Sequence, residues 1–268
     1  MLPPRLYKYE SFTTRSLENL KAQSIYFGPP SGFNDPYDCA FVPNIRRPAD
    51  DEVEAIRTAY LRDPKTPSVA RTQFERTPTT ELREILLRSA RSALEISVKE
   101  FLSRRGVTCF SERCDDLLMW SHYGGRYQGF CLEFDPTKAN FGKVEKVAYS
   151  NELPLLDLLP LLASDNYEQV LSLFTTKAEA WRYEAEWRAV HAEAGTLYGY
   201  PSECLTGVYF GPDISEQALE IVCLILKGQN ETVRFWKGRR SSTAFKVEFE
   251  SFTYMSYIDA MRAGCADA

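Results

Sequence analysis

Only two histidines, His122 and His191, occur among the 268 residues, so a metal centre would have to be built almost wholly from carboxylates or thiolates. The cysteines supply no framework for one. Cys39, Cys109, Cys114, Cys131, Cys204, Cys223 and Cys265 are odd in number and lack the short paired spacings of zinc or disulfide sites. Cys109, Cys131 and Cys223 sit in apolar segments and read as small buried hydrophobes. No metal is expected. A Gly-rich dinucleotide fingerprint following a strand is also missing, which disfavours NAD binding of the Rossmann type. The net charge of -5 argues against strong nonspecific binding to nucleic acid or membrane. No apolar run is long enough to span a bilayer, and MLPPRLYKYE does not follow the charged, apolar, small-residue order of a secretory leader. A soluble, cytoplasmic protein with no membrane partner is expected.

Hydrophobic residues make up 44% of the chain, enough for one sizeable core or two small ones, and the reading is a single domain over 1–268 with a helical insertion at about 44–105. The densest information lies in Cys109 to Asp135, CFSERCDDLLMWSHYGGRYQGFCLEFD. β-Branched and aromatic residues from Val107 to Phe110 predict a strand, and Ser111-Glu112 with Asp115-Asp116 predict its end in a polar turn. Leu117 to Tyr123 has helical spacing, which puts Trp120 and Tyr123 on one face and His122 elsewhere. Gly124-Gly125 closes the helix, and Gly129 to Phe134 returns as a strand. Two aromatics beside a polar loop can hold a planar ring; they serve equally as core anchors.

Before this stretch, Arg5 to Tyr9 predicts a strand whose LYKY alternates faces, followed by a helix over Ser16 to Gln23 with Ser16 available as its cap, and a strand over Ser24 to Phe27. In the loop SGFNDPYD (Ser31 to Asp38), Asn34-Asp35-Pro36 suits side-chain-capped turns, with direct ligand contact as the alternative. Glu81 to Leu102 carries an apolar helical stripe of Leu82, Ile85, Leu86, Ala90, Ala93, Leu94 and Val98. After it, Val144 to Ser150 reads as an edge strand and Pro154 to Phe174, interrupted at Pro160 and Ser164, as an apolar helical region. Leu155, Leu156, Leu158, Leu159, Leu161 and Leu162 are apolar all round and must pack on the domain or on a second copy, as a homodimer. Lys177 to Trp181 reads as continued helix. The tail is an α/β unit: strand Thr206 to Phe210, helix Ser215 to Leu226, and strands near Thr232 to Trp236 and Ala244 to Phe252, with Lys237, Arg239 and Arg240 in a solvated basic hairpin.

In Trp181 to His191, WRYEAEWRAVH, Glu184, Glu186 and Arg188 alternate with Ala185, Trp187 and Ala189. On a strand, period two sets both carboxylates and the guanidinium on one face. Such a cluster suits acid/base work or the orientation of a hydroxyl. A surface row of ion pairs, or a helical Glu184–Arg188 pair, is the structural alternative.

With LYKY, FNDPYD, CFSE, MWSHYG, GFCLEFD and EAEWR in this order, the chain resembles the bacterial domain-of-unknown-function 2971 family over roughly Arg5 to Glu250. More distantly it is similar to the ADP-ribosyltransferase superfamily, whose catalytic residues come from three separated strand regions. Lys8 on LYKY stands where that superfamily usually has His or Arg; Ser111 of CFSE, then Trp120 and Tyr123, match its second region; Glu184-Ala185-Glu186 looks like its Glu-x-Glu pair.

The second resemblance implies an α+β fold with an ADP-ribosyltransferase-like split sheet, mixed or antiparallel, and NAD as substrate. The catalytic residues would be Glu186, stabilising positive charge on the ribose as the nicotinamide bond breaks, and Glu184, orienting or deprotonating the acceptor. Trp120 and Tyr123 would wall in the nicotinamide, Ser111 would bind ribose or order Glu186, Lys8 and Tyr9 would hold the adenosine ribose or a phosphate, and Arg188 would keep the carboxylates ionised. The implied partner is a macromolecular acceptor, protein or nucleic acid, and the implied role a toxin, with an antitoxin partner, or a phage-defence effector. A noncatalytic nucleotide- or protein-binding module on the same fold is the rival expectation.

Overall fold

In a computed structural model of the chain, the described residues are 2–39, 44–138, 141, 144–163 and 168–264; Ser164 and Cys265 lie outside them. In chain order the elements are β1 (Leu6–Glu10), α1 (Thr14–Lys21), β2 (Ser24–Phe27), β3 (Asn44–Ile45), α2 (Asp50–Arg62), α3 (Ser68–Arg76), α4 (Thr79–Arg104), β4 (Gly106–Ser111), α5 (Leu117–His122), β5 (Phe130–Phe134), β6 (Val144–Lys146), β7 (Ala148–Ser150), β8 (Leu155–Leu156), α6 (Leu158–Ala163), α7 (Glu168–Thr175), β9 (Thr176–Ala178), β10 (Glu186–His191), β11 (Thr196–Gly199), β12 (Leu205–Phe210), α8 (Glu216–Lys227), β13 (Arg234–Arg240), β14 (Val247–Phe252) and α9 (Tyr257–Arg262). Helices and a mixed sheet make this an α+β protein. The chain divides into two compact units: Met1–Gly28, Gly106–Val147 and Ala180–Ala268 form the first, Pro29–Arg105 and Ala148–Glu179 the second.

The first unit is built on an eight-stranded sheet in the order β14-β13-β12-β5-β1-β4-β10-β6. β12 and β13 run parallel and the other neighbours antiparallel. Alternation sends the large apolar residues to one face, where Leu6, Phe110, Phe130, Leu132, Phe134, Trp187, Val208 and Phe210 form the main core with Leu20 of α1 and Val222 and Leu226 of α8. The opposite face carries Tyr9, Cys131 and Tyr209, covered by Met119 and Trp120 of α5.

α1 starts earlier than its sequence suggests. Thr13, not Ser16, is its cap; Ser16 is the third helical residue and closes a reciprocal box, Ser16 N to Thr13 Oγ1 at 3.2 Å and Thr13 N to Ser16 Oγ at 3.0 Å. The expected edge strand at Val144 divides: β6 borders the large sheet, while β7 pairs with β9 in the second unit. Lys177 is accordingly in a strand, not a helix, opposite Tyr149, and its ammonium meets the buried Asp38 carboxylate at 3.3 Å.

In the second unit, Leu82, Leu86, Ala90, Leu94 and Val98 of α4 are buried, while Ala93 is exposed and Ile85 half-buried. That fourfold spacing meets Val53 and Ile56 of α2, Leu156 and Leu158, and Leu173 and Phe174 of α7 in a second core. The leucine-rich segment therefore packs part of its surface internally, although Leu155 stays 56% exposed. Lys237, Arg239 and Arg240 are strand residues of β13, each paired on the surface with Glu216, Glu248 or Asp213. No helix among the described residues is long and apolar enough to cross a membrane.

Candidate functional site

Register lines up Glu186, Ser111, Tyr7 and Glu133 on adjacent strands of the large sheet, so their side chains share the face covered by α5. Lys8, one residue from Tyr7, belongs to the opposite face, with its ammonium 6.0 Å from the centroid of Phe110. The match of Lys8 to a catalytic strand residue therefore does not bring it beside Ser111 and Glu186.

Nor do both carboxylates lie on one strand. Glu184 ends a 3-10 segment, Glu179–Glu184, and β10 begins at Glu186. Between them Ala185 has φ of +43°, a left-handed conformation that breaks the period of two. Glu184 turns to α5, where Tyr123 Oη donates to its Oε1 at 2.6 Å, and Ser111 Oγ donates to the Glu184 carbonyl at 2.6 Å. Glu186 receives a two-pronged contact from Arg188 on the same strand face, Nε to Oε1 at 2.8 Å and Nη2 to Oε2 at 3.0 Å. Glu184, Glu186 and Arg188 are 3%, 4% and 1% exposed, so this is an internal constellation rather than a surface row. Ala185→Gly should relieve the strain and raise the urea midpoint, by up to about 1 kcal/mol after the entropy of the added glycine is subtracted. A lowered midpoint would show that the Ala185 methyl packs more favourably than its backbone is strained.

Trp120 is fully buried and donates Nε1–H to the Cys114 carbonyl at 2.7 Å; it packs edge-on against Tyr9, centroids 5.1 Å apart. Sharing a helical face with Tyr123, it is nevertheless a core anchor. Tyr9 Oη in turn donates to the Arg113 carbonyl at 2.9 Å, and burial pushes its phenol well above the ordinary value. Cys109, on the same face as Glu186, is also held protonated, by burial first and by the neighbouring Glu186 charge second; it is no thiolate nucleophile.

The open part of the site lies along β1. Tyr7 opposite Ser111 is the single register between β1 and β4; β4 then bridges Gly28 through Val107. Beside the edge of β1 that this leaves, Lys8, Tyr9, Arg15, Tyr26, His122 and Tyr123 line a cleft of about 350 Å³. Arg15 stacks on Tyr26 at 3.5 Å. His122, exposed, shares a hydrogen bond of 3.0 Å with Tyr183 Oη and stands 6.3 Å from the Trp181 ring. The cleft thus combines two cations, hydroxyls and flat rings, a set suited to phosphate, ribose and base, together with the Glu10 carboxylate, which stands 3.7 Å from the Lys8 ammonium. Tyr123 connects it to Glu184.

Sequence reasoning missed Glu133. It is buried within GFCLEFD and receives Thr206 Oγ1 at 2.6 Å, Tyr209 Oη at 2.8 Å and Tyr7 Oη at 3.3 Å, with Arg5 at 3.4 Å. A lone carboxylate between apolar strand residues was the available signal. Among the described residues no group of three or more His, Cys, Asp or Glu is placed to hold a metal.

No curated protein and no solved structure matches the chain. The segment that carries MWSHYG, GFCLEFD and EAEWR is matched by a family model, and over residues 119–189 the chain is therefore similar to the family described as protein of unknown function (DUF2971).

Proposed function

We propose that the β1 cleft binds NAD and that the protein transfers ADP-ribose to a macromolecular acceptor, on an ADP-ribosyltransferase-like split sheet. The observation that carries this reading is the 2.6 Å bond from Tyr123, a wall of the cleft, to Glu184, which joins a ligand-sized opening to a buried carboxylate. Lys8 and Arg15 meet the phosphates, and Tyr26, Tyr123 and His122 supply rings for the nicotinamide or adenine. As the bond from ribose C1′ to nicotinamide N1 breaks, its electron pair leaves with nicotinamide and positive charge builds on the ribose. Glu184 stabilises that charge and accepts the proton of the attacking acceptor. Glu186, already tied to Arg188, supports the start of β10 rather than the ribose. Ser111 fixes the Glu184 backbone.

A binding module without catalysis is favoured by one observation, the burial of Glu186 and Arg188 in contact with each other. Nicotinamide release from NAD, with and without cell lysate as a source of acceptor, separates the two. Wild type should release nicotinamide, and Glu184→Gln should lose about 10²–10³-fold, the scale of one removed electrostatic stabiliser. A folded wild type that melts higher with NAD yet releases nothing is a binding module. No release and no shift would end the NAD reading.

A further inference from the structure

β13 begins with Arg234, Phe235 and Trp236, and alternation sends the first and third to one face of the sheet. Trp236 lies opposite Tyr209 in the parallel pairing of β12 with β13, which stacks the two rings 4.5 Å apart at an interplanar angle of 2°. Gly207 makes room for this stack, since a Cβ there would stand 2.3 Å from the indole. The Arg234 guanidinium lies over the same indole, 5.1 Å from its centroid, on a side chain that is 62% exposed. It stands 3.8 Å from Glu133 Oε1, an oxygen that already accepts a hydrogen bond of 2.6 Å from Thr206. Among the described residues the guanidinium therefore has a carboxylate neighbour but no hydrogen-bond acceptor. Arg234 and Trp236 open onto a cavity of about 760 Å³ at the start of β13 and the end of β14. Phe252 and Tyr254, both half-buried, are further walls, and Tyr254 directs its hydroxyl to Glu220 at 3.3 Å. Two other charged side chains line the cavity. Lys227 is engaged by Asp259 and donates to Ser256 Oγ at 3.1 Å, while Glu231 is exposed and has no ion pair among the described residues.

We propose that this cavity binds an organic carboxylate with a flat or apolar body, its two oxygens accepting from the Arg234 guanidinium and its body lying against Phe252 and Tyr254. A planar guanidinium whose N–H groups have no protein acceptor matches a carboxylate as a two-pronged fork. Stacking on Trp236 holds that fork in place, which lowers the entropy lost when a ligand meets it. A phosphate is the weaker fit. Lys227 is already held by Asp259, so a doubly charged head would meet one available cation in the company of the Glu231 carboxylate. The volume falls within the roughly 300–1,000 Å³ of small-molecule sites. The cavity is built wholly within the first unit and shares no lining residue with the β1 cleft, so the inference does not depend on the NAD reading.

Calorimetric titration of the full chain at constant ionic strength tests it, with phenylpropionate as the probe, phenylpropanol as the uncharged comparator and phenylethyl phosphate as the competing anion. Phenylpropionate should bind saturably and phenylpropanol about tenfold more weakly or worse, the loss of one charge-assisted contact. Arg234→Gln, at an exposed position, should bring the acid down to the level of the alcohol. Equal affinity for acid and alcohol, equal affinity in wild type and Arg234→Gln, or no binding at millimolar acid would overturn the site, and tighter binding of the phosphate ester would overturn the carboxylate class. If Arg234→Gln does not fold, Arg234→Lys decides, because it keeps a cation near Glu133 and removes the fork: weaker binding of the acid supports the site and unchanged binding overturns it. Acetyl-glycyl-phenylalanine locates the source. Its binding, with none for its C-terminal amide, would identify the last residue of a polypeptide; binding of phenylpropionate alone would identify a free acid, and either pattern supports the site.

Discussion

Arg188→Met should unfold at markedly lower urea than wild type, by the equivalent of about 3–5 kcal/mol, the usual cost of leaving one member of a buried ion pair without its partner. The magnitude follows from geometry. Arg188 and Glu186 are almost wholly removed from solvent, and two of the guanidinium nitrogens grip both carboxylate oxygens, so water cannot replace the lost donors. Methionine keeps much of the arginine volume and isolates the charge effect from a cavity effect. The double variant Glu186→Leu/Arg188→Met should cost less than the two single variants added together, because each single variant leaves a desolvated charge behind and the double variant leaves neither. A single-variant loss below about 1 kcal/mol, the range of exposed pairs, would show that the pair is reached by solvent. Glu186 would then be open to a ligand, and its proposed supporting role would have to be given up.

Trp120→Ala is the second large effect, about 3–5 kcal/mol from the cavity left by a fully buried indole. Trp120→Phe separates packing from hydrogen bonding. It retains a ring against Tyr9 but loses the Nε1–H bond to Cys114, and a loss of about 1–3 kcal/mol is expected from the unsatisfied carbonyl. The affinity of the Phe variant for NAD, followed by melting temperature, should be unchanged, since the indole faces the interior and not the cleft. A weakened affinity without further loss of stability would return Trp120 to the ligand and redraw the cleft around α5. Tyr123→Phe serves as the comparison, because it removes the hydroxyl that donates from the cleft wall to Glu184.

Local chemistry was legible in the sequence where one residue type decides the backbone. The alternation of LYKY, the strand of GFCLEFD and, apart from Ile85 and Ala93, the stripe from Leu82 to Val98 reappear in place, because burial on one face is written as periodicity. Pairing was not legible. Whether Lys8 or Tyr7 faces Glu186 depends on β1 meeting β4 at Tyr7 and Ser111, and nothing within either strand states that register. Ala185 hid the break in EAEWR: a left-handed residue is usually marked by glycine, asparagine or aspartate, and an alanine there looks like one more step of a strand. Trp120 shows the converse. Its position on the helical face with Tyr123 was readable, but its depth was set by Cys114 and Tyr9, which only the folded chain brings to it.

The position of β1 in the sheet has a consequence for the nascent chain. β1 lies between β5 and β4, both of which are synthesised only after the intervening helices α2 to α4. Tyr7 must wait for Ser111, and at translation rates of about 5–20 residues per second that wait is on the order of ten seconds. Throughout it, a strand destined for the middle of a sheet offers both edges to any other extended chain. The alternating Lys8 and Glu10 of LYKYE place a charge of each sign on the same face of this strand, and charge on an unpaired strand opposes indiscriminate pairing.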